Sequence, residues 1–329
     1  MPIAIAGSIA TDHLMTFSGR FADSLVVEQL DKISVSFLAH RLEIRRGGVA
    51  ANISFGMANL GQKPVLVGAV GEDFADYRSW LERHGVDCES VHVSRSQHTA
   101  RFVCTTDDDM AQIATFYAGA MTEAREIELA PIAERVGGLE LVLVGPDDPD
   151  AMRRHTHECR TRDIPFVADP SQQLAFGDGD LVRDLIDGAE YLITNEYESH
   201  LTEQKTGWTQ DEINARVRYR VTTLGKDGVR ITGEGLAEPV VVGIAREVVK
   251  ADPTGVGDAF RAGFLTGVAE GLPLRESAEL GSMLATYVIE TVGTQEYELG
   301  TAGFLERLEQ AYGRESAHLI ADHVSCPRP

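Results

Sequence analysis

Six short apolar segments, at residues 3–6, 64–70, 139–144, 165–168, 191–194 and 220–223, recur along the chain with amphipathic stretches between most of them. A parallel sheet covered on both faces demands this pattern, because its strands are buried on each side and each crossover returns as a helix. Such a sheet binds ligands beyond the carboxyl ends of its strands, so function is to be sought in the loops after these segments. Two stretches break the rhythm. Residues 30–45 and 99–118 alternate as β-strands without a helix between them, which predicts a small β-sheet lid inserted into the α/β body from segments at about 13–45 and 98–119. At 329 residues and 43% hydrophobic content, the chain is large enough to form one α/β domain over 1–329 with this lid as an accessory.

The run Asp252-Pro253-Thr254-Gly255-Val256-Gly257-Asp258-Ala259-Phe260 carries the strongest chemical signal. Val248 and Val249 read as the end of an apolar strand, and residues 259–269 have helical periodicity, so Gly255 and Gly257 fall at a helix start. Amides of a first turn lack intrahelical acceptors, and the helix dipole adds roughly half a positive charge there, which suits a phosphoryl group. A carboxylate beside that group is a poor phosphate ligand but a good acceptor for the proton of an attacking hydroxyl. Gly255, Val256 and Gly257 are therefore a candidate anion hole and Asp258 a candidate general base. Taken alone, a plain helix cap with an incidental Asp is the better reading of so short a motif.

Other motifs shift that balance. Gly7-Ser8-Ile9-Ala10-Thr11-Asp12 follows the first apolar segment, Gly47-Gly48-Val49-Ala50-Ala51-Asn52 opens an amphipathic helix, and Asn195-Glu196-Tyr197-Glu198 follows residues 191–194. In this order, and together with the run ending at Asp258, they resemble the ribokinase-like (PfkB) carbohydrate kinase family, with its N-terminal Gly-Gly and C-terminal Asp-Thr-x-Gly-x-Gly-Asp signatures. Val256 stands where that family usually carries a small residue. Within the family the chain is similar, from Pro2 to about Tyr312, to bacterial adenosine kinases of the actinobacterial type, on residues 7–14, 46–52, 98–102, 169–174, 252–265 and 292–296. The resemblance implies a three-layer ribokinase-like fold with a mostly parallel central sheet and a small β-lid. It also implies ATP- and Mg²⁺-dependent phosphorylation of the 5′-hydroxyl of adenosine to AMP in purine salvage, by a homodimer formed through the lid. Another sugar or nucleoside kinase of the same family remains open, as does a noncatalytic nucleoside-binding sensor.

The residues themselves carry part of this. Residues 101–106 and 111–117 flank Asp107-Asp108-Asp109-Met110 as a hairpin that sets Phe102 opposite Phe116. Two rings on one lid face suit a flat heterocycle, since stacking is worth about 1–3 kcal/mol per base, although packing within the lid or a dimer interface would use them equally well. Gln172 and Gln173, after residues 165–168, carry amides that match the edge of a purine or are simply solvated loop amides. The resemblance implies that Phe102 and Phe116 stack on adenine and that Gln172 and Gln173 contact it.

Ser8, Asp12, Gly48 and Asn52 lie where they can fix a hydroxyl-rich ring, and a carboxylate accepts from both hydroxyls of a diol. Otherwise Asp12 is a cap and Asn52 an amide inside a helix; Arg46 is left outside the site. Thr223-Leu224-Gly225-Lys226-Asp227-Gly228 resembles the family's Thr-x-Gly-x-x-Gly turn and implies ATP contacts from Thr223, Gly225 and Gly228, together with Asn195, Gly255 and Gly257; a strand-to-hairpin turn is compatible with this. Asn195 and Glu198 match an Asn-x-x-Glu pair that implies Mg²⁺ held through water, while in isolation they read as a helix capping box. Gly293-Thr294-Gln295-Glu296 resembles a segment that helps hold a monovalent cation, which implies K⁺ stimulation.

Composition removes other classes. A net charge of −21 repels nucleic acid and anionic membrane surfaces. No apolar run reaches the ~20 residues of a membrane span, and residues 1–14 lack a signal-peptide pattern, so a cytoplasmic location is expected. Cys88, Cys104, Cys159 and Cys326 form no Cys-x-x-Cys pair and read as reduced thiols. His155, His157 and Cys159 sit in a helical stretch after Pro149, where residues two apart diverge, so a solvated face is expected there in place of a metal site. Asp107, Asp108 and Asp109 lack the spacing of a calcium loop and read as the hairpin tip. Neither a P-loop nor a Gly-x-Gly-x-x-Gly after the first strand is present, which argues against P-loop chemistry and a dehydrogenase.

Overall fold

The computed structural model describes residues 2–24 and 34–324. Its strands are β1 (Ile3–Ala6), β2 (Ala10–Phe17), β3 (Ala39–Gly47), β4 (Val65–Val67), β5 (Ala69–Val70), β6 (His92–Val93), β7 (Ala100–Thr106), β8 (Gln112–Tyr117), β9 (Leu141–Val144), β10 (Phe166–Ala168), β11 (Tyr191–Asn195), β12 (Tyr219–Thr223), β13 (Val229–Gly233) and β14 (Val240–Val242). Eight of them form one sheet in the order β14-β13-β12-β11-β10-β9-β1-β4. It is parallel from β4 to β12 and antiparallel only where β13 and β14 are added. All six predicted apolar segments are strands of this sheet, the second broken at Gly68 into β4 and β5, of which β5 leaves the sheet to pair with β6.

Alternation along β1 shows the three layers. Ile3 and Ile5 pack into one apolar cluster with the helices Val49–Asn59, Val256–Ala269 and Leu274–Ile289, whereas Ala4 and Ala6 join the opposite cluster with the helices Leu129–Val136, Pro149–Thr161 and Gly179–Ile186. Small residues let the helices of the first layer approach closely. A Cβ on Gly56 would stand 2.6 Å from the Cβ of Ala262, and one on Gly263 would stand 2.7 Å from the Cα of Gly281. The helix Val256–Ala269 is thereby clamped between its two neighbours, which fixes the position of its first turn.

The predicted small sheet is present, in the order β3-β2-β7-β8. Its membership differs from the expectation. The strand β2 begins at Ala10 and pairs with both β3 and β7, so Asp12 is a mid-strand residue and not a turn cap. Its sequence ATDHLMTF shows no clean polar–apolar alternation because residues after Ala10 are half-buried on either face, which hid it from pattern reading. The strand expected over 30–45 is seen as Ala39–Gly47, and residues 30–33 lie outside the described residues. The hairpin is as expected, with Phe102 opposite Phe116. At its tip, Asp107 accepts the amides of Phe21, Asp109 and Ala111 at 2.8–3.0 Å.

Two further expectations are corrected. Val248 and Val249 belong to no strand; Val248 is 88% exposed and its amide donates to Glu290 Oε1 at 2.6 Å, so the chain is tied to the end of the helix Leu274–Ile289 and not to a sheet edge. His155 and Cys159 are buried and not on a solvated face, since the helix Pro149–Thr161 packs them against the sheet; burial pushes His155 down to about 4, and its Nε2 lies 3.2 Å from the Ile127 carbonyl. Among the described residues no three His, Cys, Asp or Glu side chains converge as a metal site. Cys88, Cys104 and Cys159 are free and buried, and Cys326 lies outside the described residues.

Candidate active site

The strand order reverses direction between β1 and β9, so the crevice of this sheet opens beyond their carboxyl ends. Ser8 follows β1 at that point. Its amide donates to the Pro146 carbonyl at 3.0 Å, and its Oγ accepts the Val49 amide at 3.1 Å, capping the helix Val49–Asn59 from outside while its own proton remains to be donated. Gly48 precedes that helix with φ of 93°, and a Cβ there would lie 2.6 Å from Ser8 O, Ile9 Cα and Ala10 N. Only glycine lets the two loops meet this closely.

Asn52, in the first turn of that helix, reaches across to Asp258. Its Nδ2 donates to Asp258 Oδ2 at 2.9 Å. The helix carrying Asp258 starts as the motif predicts, with Gly255 in the left-handed conformation as N-cap. The amides of Val256, Gly257 and Asp258 have no intrahelical acceptor. Burial raises Asp258 to about 6, Asn52 and Arg261 favour its charged form, and Asp169 and Glu198 oppose it. At neutral pH a carboxyl group near 6 is about nine-tenths ionised, still a base and stronger than a solvated Asp.

Arg261 and Asp169 were missed in the sequence. Arg261 lies three residues after Asp258, one turn along the same helix, and it is 6% exposed. Its guanidinium pairs with Asp169, Nη2 donating to Oδ1 at 2.6 Å and Nε lying in ion contact 2.6 Å from Oδ2, and its Nη1 donates to the Gly257 carbonyl at 3.0 Å. Asp169 stands just past β10 and is 1% exposed. The pair therefore ties the carboxyl edge of the sheet to the first turn that holds Asp258. The spacing Asp258-x-x-Arg261 was the available signal on the helix; Asp169 heads the resembling segment 169–174, but nothing in the sequence paired it with Arg261.

The small sheet contributes one row of side chains. Cross-strand partners share a face, and the register places Arg45, Asp12, Phe102 and Phe116 side by side across β3, β2, β7 and β8. Arg45 Nη1 lies 3.5 Å from Asp252 Oδ2, which turns this face toward the glycine turn. Arg45 also pairs with Glu43. Burial raises Asp12 to about 6, with Arg45 acting against the shift and Asp252 adding to it. Phe102 is half-buried and Phe116 is 53% exposed at the open end of the row. Arg46 stays outside the site, its guanidinium 4.1 Å above the Trp80 ring.

Other predicted residues are differently engaged. Gln172 is exposed, and Gln173 donates Nε2 to the Asp147 carbonyl at 2.7 Å while lining a cleft of about 250 Å³ with Pro149, Arg153 and Phe176. One Gln173 amide proton and its carbonyl are left for a ligand. Asn195 and Glu198 form a reciprocal capping box at 2.8 Å each way, so the capping reading of this pair is realised. Thr223 is the register partner of Asn195, and the turn that follows it is a hairpin in which Gly225 and Gly228 take φ of 58° and 89°. Glu198 Oε2 accepts the Asn195 amide, which leaves Oε1 outside the box. A hydrated Mg²⁺ carried by phosphates needs one or two carboxylates, so this donor set fits such an ion. A broader hollow of about 630 Å³, lined by Arg216, Arg218 and Glu234, lies away from every motif.

Known proteins resemble this chain in sequence and in fold. The pfkB family carbohydrate kinase model matches residues 15–299. A nucleoside kinase of Methanothermobacter thermautotrophicus is 28% identical over 296 residues, 88% of this chain and 93% of that protein. The structure of Burkholderia thailandensis nucleoside kinase in complex with inosine superposes with a TM-score of 0.80 at 34% identity, covering 94% of this chain and 98% of that one. The nucleoside kinase of Methanocaldococcus jannaschii, 23% identical to this chain, shares the fold with a TM-score of 0.81 over 94% of this chain and 99% of its own.

The Asp169–Arg261 pair generates a stability prediction. Arg261→Leu leaves a buried carboxylate without its cation and should cost about 3–5 kcal/mol, whereas Arg261→Leu combined with Asp169→Leu should recover most of that loss. Urea denaturation checks both; equal losses in the single and double variants would contradict the assignment. On these grounds of sequence and structure together, the chain belongs to the pfkB family of carbohydrate kinases.

Proposed function

We propose that the protein is a nucleoside kinase that transfers the γ-phosphoryl group of ATP to the 5′-hydroxyl of adenosine, giving AMP and ADP, a purine-salvage reaction. The observation that carries this reading is the row Asp12, Phe102 and Phe116 on one face of the small sheet, with Asp258 beyond it at a helix start. A carboxylate for a ribose diol stands beside two rings for a base, and a simple sugar has no use for the rings. The related kinases of M. thermautotrophicus and B. thailandensis support a nucleoside acceptor. The inosine complex of the latter favours a second reading, a kinase that accepts purine nucleosides more broadly.

In this reading Asp258 accepts the 5′-hydroxyl proton through the oxygen that Asn52 leaves free, and the attacking oxygen bonds to phosphorus as the bond to ADP breaks. The amides of Gly255, Val256, Gly257 and Asp258 hold the growing charge on the transferring group. Ser8, Asp12, Gly48 and Asn52 orient the ribose, Phe102 and Phe116 stack on the base, and Gln172 and Gln173 contact its edge. Thr223, Gly225 and Gly228 line the ATP side with Asn195, and Asn195 and Glu198 would hold Mg²⁺ through water, where the ion would supply neutralisation of phosphate charge. The segment Gly293 to Glu296 is the place for K⁺. The whole of 1–329 acts as one kinase domain, with the small sheet as its lid. Its opposite face exposes Leu42, Ile44 and Ile113, the surface for a second copy in a homodimer. A cytoplasmic location fits ATP as donor, and no helix among the described residues is long and apolar enough to cross a membrane.

Asp258→Asn should lose on the order of 10²–10⁴ in turnover with adenosine binding largely kept, measured as ADP release with Mg-ATP across adenosine, inosine, guanosine, ribose and fructose. Near-normal turnover in that variant, or selective turnover of a sugar by the wild type, contradicts the reading, and silence across the panel favours a binding-only sensor. Phe102→Ala should raise KM for adenosine far more than KM for ATP; equal shifts would contradict base stacking.

A further inference from the structure

The amide of Asn52 has two ends, and the structure supplies a reason why one of them faces Asp258. Asn52 Oδ1 lies 2.9 Å from Gln295 Nε2 and 3.0 Å from Thr294 Oγ1. Gln295 Nε2 can act only as a donor, whereas the single Thr294 hydroxyl proton also has the Arg46 carbonyl at 3.1 Å as an acceptor, so it is Gln295 that turns the carbonyl end toward itself and leaves the N–H end for the carboxylate. The direction of Gln295 is itself fixed. Its Oε1 accepts the indole N–H of Trp80 at 3.1 Å, and Nε2 donates also to the Tyr77 hydroxyl at 2.6 Å, which in turn donates to the Gly47 carbonyl at 3.0 Å. An indole N–H is a donor and never an acceptor. It therefore sets the sense of the whole chain of hydrogen bonds, from Trp80 through Gln295 and Asn52 to Asp258. Gln295 is 1% exposed, and Trp80 is held by Phe55 stacked at 5.9 Å and the Arg46 guanidinium at 4.1 Å.

We propose that Gln295 is a positioning residue of the kinase, which locks the Asn52 amide so that it donates to one oxygen of Asp258 and leaves the other for the attacking hydroxyl. The proposal rests on the kinase reading above. Without Gln295 the Asn52 amide loses the donor that defines its carbonyl end, and a flipped amide sets oxygen against oxygen at Asp258 and rotates the base away. The charged groups that face Asp258 are Arg261 on its own helix, Asp169 past β10 and Glu198 in the helix Glu196–Thr206. None of these three side chains belongs to the Gln295 segment, so replacing Gln295 by an uncharged residue leaves those charges in place, and K⁺ is kept constant in the assays because Gly293 to Glu296 is the proposed place for that ion.

Gln295→Met keeps the length of the side chain and removes both ends of the amide. Its turnover should fall on the order of tenfold while KM for ATP stays unchanged, the effect of one lost orienting hydrogen bond. The decisive comparison is a double-mutant cycle with Asn52→Ala. If Gln295 acts through Asn52, the double variant is no slower than Asn52→Ala alone. Losses that multiply, or wild-type turnover in Gln295→Met, overturn the proposal. Should Gln295→Met fail to fold by thermal melting, Trp80→Phe runs the same cycle, because it deletes the indole N–H while leaving an aromatic ring against Phe55. A wild-type protein that phosphorylates no nucleoside shows itself before any variant is made; it refutes the kinase reading and this proposal with it.

Discussion

One hydrogen bond joins the two halves of the site, and the packing of three helices makes it possible. Asn52 and Asp258 are 206 residues apart and meet at 2.9 Å because the helix Val256–Ala269 fits between Val49–Asn59 and Leu274–Ile289 with glycine and alanine at the crossings. Both residues sit in first turns, so two helix N-termini converge on the same volume. A bulkier side chain at Gly56 or Gly263 would move Asp258 as well as the core, and for that reason the geometry of the candidate site is a property of the packing and not of the loop alone.

Electrostatics then follow from what surrounds that bond. The chain carries −21 charges overall, yet the site sets amides and the Arg45 and Arg261 guanidiniums against the carboxylates of Asp12, Asp169, Asp252 and Asp258. Net charge acts at long range and is screened within about 8 Å at physiological salt, whereas helix dipoles and a buried guanidinium act at contact. Burial lifts both Asp12 and Asp258 to about 6, and each has an arginine that holds the shift in check. A carboxylate poised there is a stronger base than a solvated one and still ionised at neutral pH, a balance that neither burial nor charge pairing alone would give.

Much of this was legible in the chain and some of it was not, for physical reasons. The parallel strands were readable because burial on both faces leaves unbroken apolar runs, and the Phe102–Phe116 pairing was readable because a hairpin turn sets its own register. The strand β2 was not, since its residues are half-buried on both faces and show no period. Val248 and Val249 misled because two valines suggest a strand wherever they occur, and only the missing neighbour corrects them. The Asn-x-x-Glu match describes a real capping box, and a ligand role for the same two residues is a separate matter. Arg261, Asp169 and Gln295 act through partners distant in sequence, and a single chain read without its fold has no means of pairing them.

In the proposed mechanism Asp258 is the group whose ionisation gates transfer, and pH is the direct probe of that. The pH dependence of the single-turnover rate of ADP formation, with saturating nucleoside and Mg-ATP, should be level above neutral pH and fall tenfold per unit as pH drops below about 6, because protonation removes the base. A rate that stays level from pH 8 down to about 4.5 would contradict it, since the base would then be an ordinary carboxylate or some other group.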